Sequence, residues 1–475
     1  MSAGILTLAD VIEGLTGSRP ESLVQPVSRT VVDSRRAGPG ALFVALKGEH
    51  ANGHDYVADA FSRGAVAALV ERDVVPSGQT LDLTDPARTL PGAWSLPLVI
   101  KVADSLQALQ QVAAFWRRQH EPRVIGITGS VGKTTTKELA AAVLARRYVT
   151  LKSEASYNNE IGLPLTLVHL TDEHERVVLE MGMYDVGEIA DLARIAQPHV
   201  GVVTIVGPVH LERAGTLERI VKAKRELIEA LPPAPEGVAI LNYDDERVRG
   251  MARATQARVF YYGLSPEADL WADRIEGLGL EGIRFQLHYS DETLHVKIPL
   301  LGRHSVHTAL RAAAVGLVEG LTWQEIIEGL RGPSAQLRLV AVPGPEGAII
   351  LDDTYNASPA STIAALNLLD ELDGRKIAVL GDMLELGDYE REGHEKVGMR
   401  ALEVADVLIT VGPRGRIIGE AALRWGMPAG RVHIVEESAE AVALLERMVT
   451  GGDVILVKGS RAMQMEEIVN ALGRK

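Results

Sequence analysis

The chain has 475 residues, which suits about three domains at roughly 100 to 200 residues each. Its formal net charge of -14 argues against non-specific binding to nucleic acid or to an anionic membrane, both of which need basic surfaces. With no cysteine, thiol catalysis, thiolate metal sites and disulfides are excluded.

Met1-Ser-Ala-Gly-Ile-Leu6 has neither a basic start nor a long apolar core, and no apolar run reaches the ~18 residues of a membrane span. The sequence therefore reads as a soluble, cytoplasmic protein. Residues 1–103 form a first small α/β module. Within it Pro39-Gly40 signals a turn, Leu42 to Leu46 a strand, Tyr56 to Arg63 a helix and Ala65 to Val70 another strand. Pro76 to Pro97 mixes Pro, Gly, Thr and Asp without a period and reads as irregular connection.

A second domain is expected over residues 104–333. It opens on a helix from Ser105 to Gln119 whose apolar residues Leu106, Leu109, Val112, Ala113 and Trp116 recur at helical spacing. Val124 to Ile127 reads as a strand that breaks into Gly129-Ser-Val-Gly-Lys-Thr-Thr-Thr136, and Lys133 to Arg146 as the helix that follows. The first N–H groups of a helix have no intrahelical partner and converge on an anion placed there. Gly129 and Gly132 let the backbone approach a phosphate, Lys133 supplies a cation, and the Thr134 hydroxyl is a magnesium ligand. Gly126 stands six residues before Gly132 rather than the five of the usual phosphate loop, but strand, glycine loop and Gly-Lys-Thr-Thr helix together specify a nucleoside triphosphate site.

Beyond the loop, Thr150 to Leu165 reads as a polar loop before a helix. Arg176-Val-Val-Leu-Glu180 is a buried strand ending on a carboxylate, and His199 to Val206 a strand leading towards His210. Strand ends are where open α/β sheets place ligands, and an acid such as Glu180 beside a phosphate loop holds magnesium directly or through water. A helix from Thr216 to Leu231 is expected to turn Ile220, Ala223, Leu227 and Ala230 inward. Strands follow at Gly237 to Leu241 and Arg258 to Tyr262, a small antiparallel sheet over 269–300, and helices at His304 to Glu319 and Trp323 to Leu330. Gly332 to Arg338 reads as a linker. Residues 334–475 then alternate strands (348–351, 376–380, 407–411, 432–435, 454–457) with helices, the pattern of a Rossmann-like domain on a mostly parallel sheet.

Together these motifs resemble the ATP-dependent Mur ligases of peptidoglycan synthesis, over nearly the whole chain. The resemblance rests on the phosphate loop, Tyr157-Asn-Asn-Glu-Ile-Gly-Leu-Pro164, Leu179-Glu-Met-Gly182, His210-Leu-Glu212 and Ala223-Lys-Arg-Glu-Leu227. In the last domain Asp352-Asp-Thr-Tyr-Asn-Ala-Ser358, Gly381-Asp-Met-Leu-Glu-Leu-Gly387 and Val457-Lys-Gly-Ser-Arg461 resemble the branch that adds D-alanyl-D-alanine, and Asp33-Ser-Arg35 with the strand ending at Gly48 resembles a uridine-nucleotide module.

The resemblance implies an α/β protein of three domains: a uridine-nucleotide module, a central ATPase-like domain and a C-terminal Rossmann-like domain. Its implied activity is ATP-dependent joining of D-alanyl-D-alanine to UDP-N-acetylmuramoyl-tripeptide through an acyl phosphate, with ATP and two Mg2+ ions, as a monomer. ATP contacts would come from Gly129, Ser130, Val131, Gly132, Lys133, Thr134 and Thr135, with Ser305 at adenine, Arg338 at the phosphates and Asp353 at the ribose. Thr134 and Glu180 would hold one magnesium, His210 the second, and Lys224 would be a lysine modified by carbon dioxide. Lys133, Glu180, His210 and Lys224 form the implied catalytic set, and Ser34, Lys47, Asn158, Asn159, Tyr355 and Asn356 the substrate contacts. The family pattern Gly-x-His-Asn-x-x-Asn reads Gly302-Arg-His-Ser-Val-His-Thr308 here, with Ser305 and Thr308 at the Asn positions.

Two alternatives stay open on the residues. A sister amide ligase for a diamino acid would carry Asp-Asn-Pro-Arg, and the sequence has none; folylpolyglutamate synthetase shares the chemistry with another amino-acid donor. A nucleotide-dependent switch would leave the uridine-nucleotide module without a role, and the guanine-reading Asn-Lys-x-Asp is missing.

Overall fold

The computed structural model describes residues 4–48, 51–74, 78–85, 90, 93–208, 211–332 and 339–473. Three sheets succeed one another along the chain. The first contains β1 (Arg29–Val31), β2 (Ala41–Val44), β3 (Ala67–Val70), β4 (Gln79–Asp82) and β5 (Leu98–Lys101), all parallel, in the order β1-β2-β3-β5-β4. β4 lies inside the stretch expected to be irregular. It is a short edge strand with Leu81 as its one buried residue, so no alternation marks it.

The second sheet is built from β6 (Arg123–Thr128), β7 (Thr150–Lys152), β8 (Arg176–Glu180), β9 (Val200–Val203), β10 (Val238–Asn242), β11 (Arg258–Gly263), β12 (Leu270–Gly277), β13 (Ile283–Tyr289) and β14 (Glu292–Ile298). Their order is β14-β13-β12-β11-β10-β9-β6-β8-β7. The adjacent strands β6, β9 and β10 are largely apolar and buried on both faces, as a parallel sheet covered by helices requires. β6 lies between β8 and β9, so the chain leaves it first to one side and later to the other. The loops at the carboxyl ends of β6, β8 and β9 therefore open onto one crevice.

The antiparallel strands expected as a separate small sheet instead continue this one. β12 pairs in parallel with β11, and β13 and β14 extend it as hairpins, which covers an edge that would otherwise expose its peptide groups. The helix Leu217–Glu229 buries Ile220, Ala223 and Leu227 as expected, but Ala230 is exposed. Ala230 is the C-cap, one residue past the stripe that faces the sheet.

The third sheet comprises β15 (Val340–Pro343), β16 (Ile349–Asp352), β17 (Lys376–Gly381), β18 (Val407–Val411), β19 (Val432–Val435) and β20 (Val454–Lys458), in the order β15-β16-β20-β17-β18-β19. Only β15 is antiparallel, an edge strand ending on proline, where a missing N–H costs no ladder bond.

The helix Ser105–Arg118 joins the first two sheets. It packs on the helix Leu8–Thr16 and on β2 and β3 on one side, and on the helices Gly162–Leu167 and Glu188–Ala196 on the other. Trp116 Nε1 donates to the Leu170 carbonyl at 3.0 Å, fixing that register. One apolar core runs from Leu8 and Leu42 through Leu109 and Val112 to Leu179 and Leu227. Among the described residues no helix is long and apolar enough to cross a membrane.

Candidate active site

The phosphate loop leaves β6 with Gly129 at φ 144° and enters the helix Lys133–Leu144 through Gly132 at φ 87°. A Cβ at Gly129 would lie 1.8 Å from Thr204 Oγ1, so the loop cannot close over a side chain there. Thr204, just past β9, donates its hydroxyl to the Val131 carbonyl at 2.7 Å, and Ser130 N donates to the Ile205 carbonyl at 2.7 Å. Ser130 Oγ bonds Gly207 at both its carbonyl and its N–H, at 3.0 and 2.9 Å. The loop is thus tied along its length to the segment after β9. Lys133 Nζ reaches back over it to the Gly129 carbonyl at 3.0 Å.

Glu180, at the end of β8, is 1% exposed and faces the loop. One carboxylate oxygen accepts from Thr134 Oγ1 at 2.7 Å and the other from Asn158 Nδ2 at 2.9 Å. A buried carboxylate flanked by a hydroxyl and an amide beside a phosphate loop is an oxygen-donor set of the kind magnesium takes. Lys224 is also 1% exposed, and burial with the nearby positive charge of Lys133 lowers its pKa well below the ordinary lysine value. The neighbouring Lys222 is exposed. Lys133, Lys224 and Asn158 line a cavity of about 730 Å³ that extends past Tyr184 and Glu188 to Gln110 on the helix Ser105–Arg118. His210 and Arg338 lie outside the described residues.

The remaining expected residues fall into distinct groups. Asn159 Oδ1 accepts from Gly162 N at 2.9 Å and fixes the start of the helix Gly162–Leu167. Ser34 is buried in a short 3-10 turn, with Asp33 as its cap, and Lys47 is exposed and bridges backbone to backbone with Asn52. Ser305 is 5% exposed and its hydroxyl donates to the Leu301 carbonyl at 2.6 Å, so it ties the turn before the helix Val306–Val318 and makes no capping bond to it. Asp353, past β16, accepts from Lys458 Nζ at 2.6 Å, and the same ammonium donates to the Asn356 carbonyl at 2.8 Å. Helix N-capping before Pro359 falls to Ser358 rather than to Asp353. The Tyr355 and Ser156 hydroxyls hydrogen-bond across the second and third domains.

Sequence reasoning missed the residue that anchors the loop 153–161. Lys137 is fully buried, and its ammonium donates to the Ser153 and Ala155 carbonyls at 2.8 and 2.6 Å and pairs with Glu138 at 2.9 Å. That loop carries Ser156 towards Tyr355, Tyr157 towards Arg36 Nη1 at 2.5 Å, and Asn158 to Glu180. It therefore touches all three domains. A lysine inside an otherwise apolar helical face was the available signal. Lys458 stood within a motif already noted but without a role, and Thr204 carried no local signal.

Comparison with known proteins agrees with this geometry. The Mur ligase family catalytic domain matches residues 27–117, the Mur ligase middle domain residues 127–316, and the Mur ligase glutamate ligase domain residues 337–461. The UDP-N-acetylmuramoyl-tripeptide--D-alanyl-D-alanine ligase of Bacillus subtilis is 35% identical over 98% of this chain and 98% of its own. Its Escherichia coli namesake is 34% identical over 99% and 98%. Among solved structures, MurF from Acinetobacter baumannii superposes with a TM-score of 0.83 at 31% identity over 100% of both chains. The MurF ligase of Thermotoga maritima in complex with ADP gives 0.76 at 28% identity over 94% of this chain and 97% of that one. The chain belongs to the Mur ligase family of ATP-dependent ligases.

Proposed function

We propose that this ligase joins D-alanyl-D-alanine to the tripeptide of UDP-N-acetylmuramoyl-tripeptide, forming the pentapeptide precursor of peptidoglycan. The observation that carries the reading is the convergence at the carboxyl ends of β6 and β8 of the Gly129–Lys133 loop, the Thr134–Glu180 pair and Lys224, beside a cavity of about 730 Å³. The relatives that match end to end are named for this reaction, and one was solved with ADP.

A carboxylate is a poor electrophile. Its oxygen attacks the γ-phosphorus of ATP, the bond to the β-phosphate oxygen breaks, and ADP leaves. The amine of D-alanyl-D-alanine then attacks the acyl carbon, phosphate departs with the bonding pair, and the new amide sheds a proton. Several anionic groups must meet, so preorganised positive charge is the main catalytic resource. Lys133 and the N–H groups opening the helix Lys133–Leu144 supply it at the phosphates. Thr134 and Glu180 would hold one magnesium ion, and His210 and a carbamylated Lys224 a second; the metal would offset phosphate charge. The neutral amine that burial favours at Lys224 is the form that adds carbon dioxide, giving a carbamate and releasing a proton. Asp353, held by Lys458, would meet the ribose, and Tyr355 and Asn356 the incoming dipeptide.

The test is ADP release with UDP-N-acetylmuramoyl-tripeptide and a panel of amine donors. Turnover that requires both tripeptide and D-alanyl-D-alanine is expected. Equal turnover with a free diamino acid or glutamate would assign the chain to a sister reaction.

A further inference from the structure

Arg311 lies on the helix Val306–Val318 and is 5% exposed. Its Nε donates to Thr136 Oγ1 at 2.8 Å, one terminal nitrogen to Thr308 Oγ1 at 2.8 Å, and the other to the Tyr262 hydroxyl at 3.5 Å. All three acceptors are neutral. Among the described residues no carboxylate forms an ion pair with this guanidinium, and the ring of Tyr262, 5.8 Å away, offers a weaker attraction. Its other charged or titratable neighbours are His307 and, beyond it, Asp244 and His304. His307 is held largely neutral by its own burial and by Arg311.

The position of this charge is as unusual as its lack of a carboxylate partner among the described residues. A Cβ built on Gly132 would lie 2.9 Å from an Arg311 terminal nitrogen, and Thr136 belongs to the first turn of the helix Lys133–Leu144. Arg311 is therefore packed behind the phosphate loop, at the positive end of a helix dipole and against Gly132, the residue that precedes Lys133. A helix start favours an anion, and a buried cation normally needs a carboxylate. A site that puts two cations and a helix start together is electrostatically complete only when it holds an anion.

We propose that Arg311 is a positioning residue for the nucleotide's phosphates. It braces Gly132 and the first helical turn through Thr136, and it adds a buried positive charge that phosphate neutralises. The proposal rests on the nucleotide reading of the loop. Thr308, where the family pattern has Asn, supplies the hydroxyl that holds this guanidinium one turn further along the helix.

The experiment compares the unchanged chain with Arg311→Met and Arg311→Lys, titrating ADP and, as a probe without phosphates, adenosine. Arg311→Met is expected to weaken ADP about tenfold and adenosine less than about twofold, as loss of a charge-assisted contact should. KM for ATP should rise by a similar factor with a smaller change in kcat. Arg311→Lys should keep most of the ADP affinity. The unfolding temperature without nucleotide should hold or rise in Arg311→Met, since an uncompensated charge is gone. Equal weakening of ADP and adenosine, or unchanged ADP affinity, in Arg311→Met would overturn the proposal. If Arg311→Met does not fold, loss of ADP affinity in Arg311→Lys matching its loss for adenosine would do the same. Failure of the unchanged chain to bind ADP would remove the nucleotide reading itself, a separate result.

Discussion

Thr134 Oγ1 and Glu180 Oε2 stand 2.7 Å apart although 46 residues separate them in the chain. The contact exists because β6 and β8 are neighbours in the sheet, so the helix that opens after one strand faces the carboxylate that ends the other. Both oxygens belong to the set that fits magnesium. Chelation of divalent ions should therefore abolish ADP release, and Glu180→Gln should raise the magnesium needed for half-maximal activity by about 10- to 100-fold. Magnesium titration of the variant checks this; an unchanged midpoint would remove Glu180 from the metal.

Lys133→Ala should lower kcat at least about 100-fold, roughly 3 kcal/mol of transition-state stabilisation, with the unfolding temperature little changed. Its ammonium lies over the loop, bonded to the Gly129 carbonyl at 3.0 Å, where the proposed reading puts the phosphates. Wild-type turnover in a folded variant would refute it.

Lys224→Ala should remove most activity, and added short carboxylates should restore part of it by occupying the vacated space. Burial beside Lys133 disfavours the ammonium form and so favours the neutral amine from which the proposed carbamate would form. Full activity in the alanine variant would make Lys224 a packing residue only.

Closure of the third domain on the second is expected to accompany catalysis, because the proposed reading has Asp353 on one and Lys133 on the other serve the same nucleotide. The Ser156–Tyr355 hydrogen bond marks a point of contact between them. Small-angle scattering with an ATP analogue and tripeptide acceptor should show compaction relative to the free protein. Identical profiles would count against it.

Stability should fall in acid through His307. Burial, Arg311 and the opposing pull of Asp244 leave its pKa at about 4 against an ordinary value of 6.5. The unfolded chain then binds the proton more readily, so this contribution is complete above pH 6.5 and is lost as pH falls towards about 4. Its size is on the order of 2 kcal/mol once partial solvent contact is discounted. Urea unfolding at pH 7.5 and 5.0 should show a smaller acid loss in His307→Gln; an equal loss would assign the effect to other groups.

What the sequence determined by itself was local. Apolar runs such as Val124 to Ile127 and Val177 to Leu179 are strands because parallel sheets bury both faces, and Gly129 to Thr135 is a phosphate loop because glycine, cation and hydroxyl sit at fixed short spacing. Chemistry carried by consecutive residues is legible without a fold.

Tertiary structure alone decided the pairings between distant segments. The helical face around Lys137 marks it as buried but does not say that its ammonium would hold a loop sixteen residues on, and nothing near Thr204 announces that it would pin the phosphate loop. Arg311 reads in sequence as one more helix residue, and only the packing of its helix against Lys133–Leu144 sets it behind Gly132. β12 likewise could have begun a separate sheet; pairing with β11 made it part of the central one. Such contacts depend on which strands become neighbours, a global outcome of burying every apolar face at once, and no window of sequence contains it.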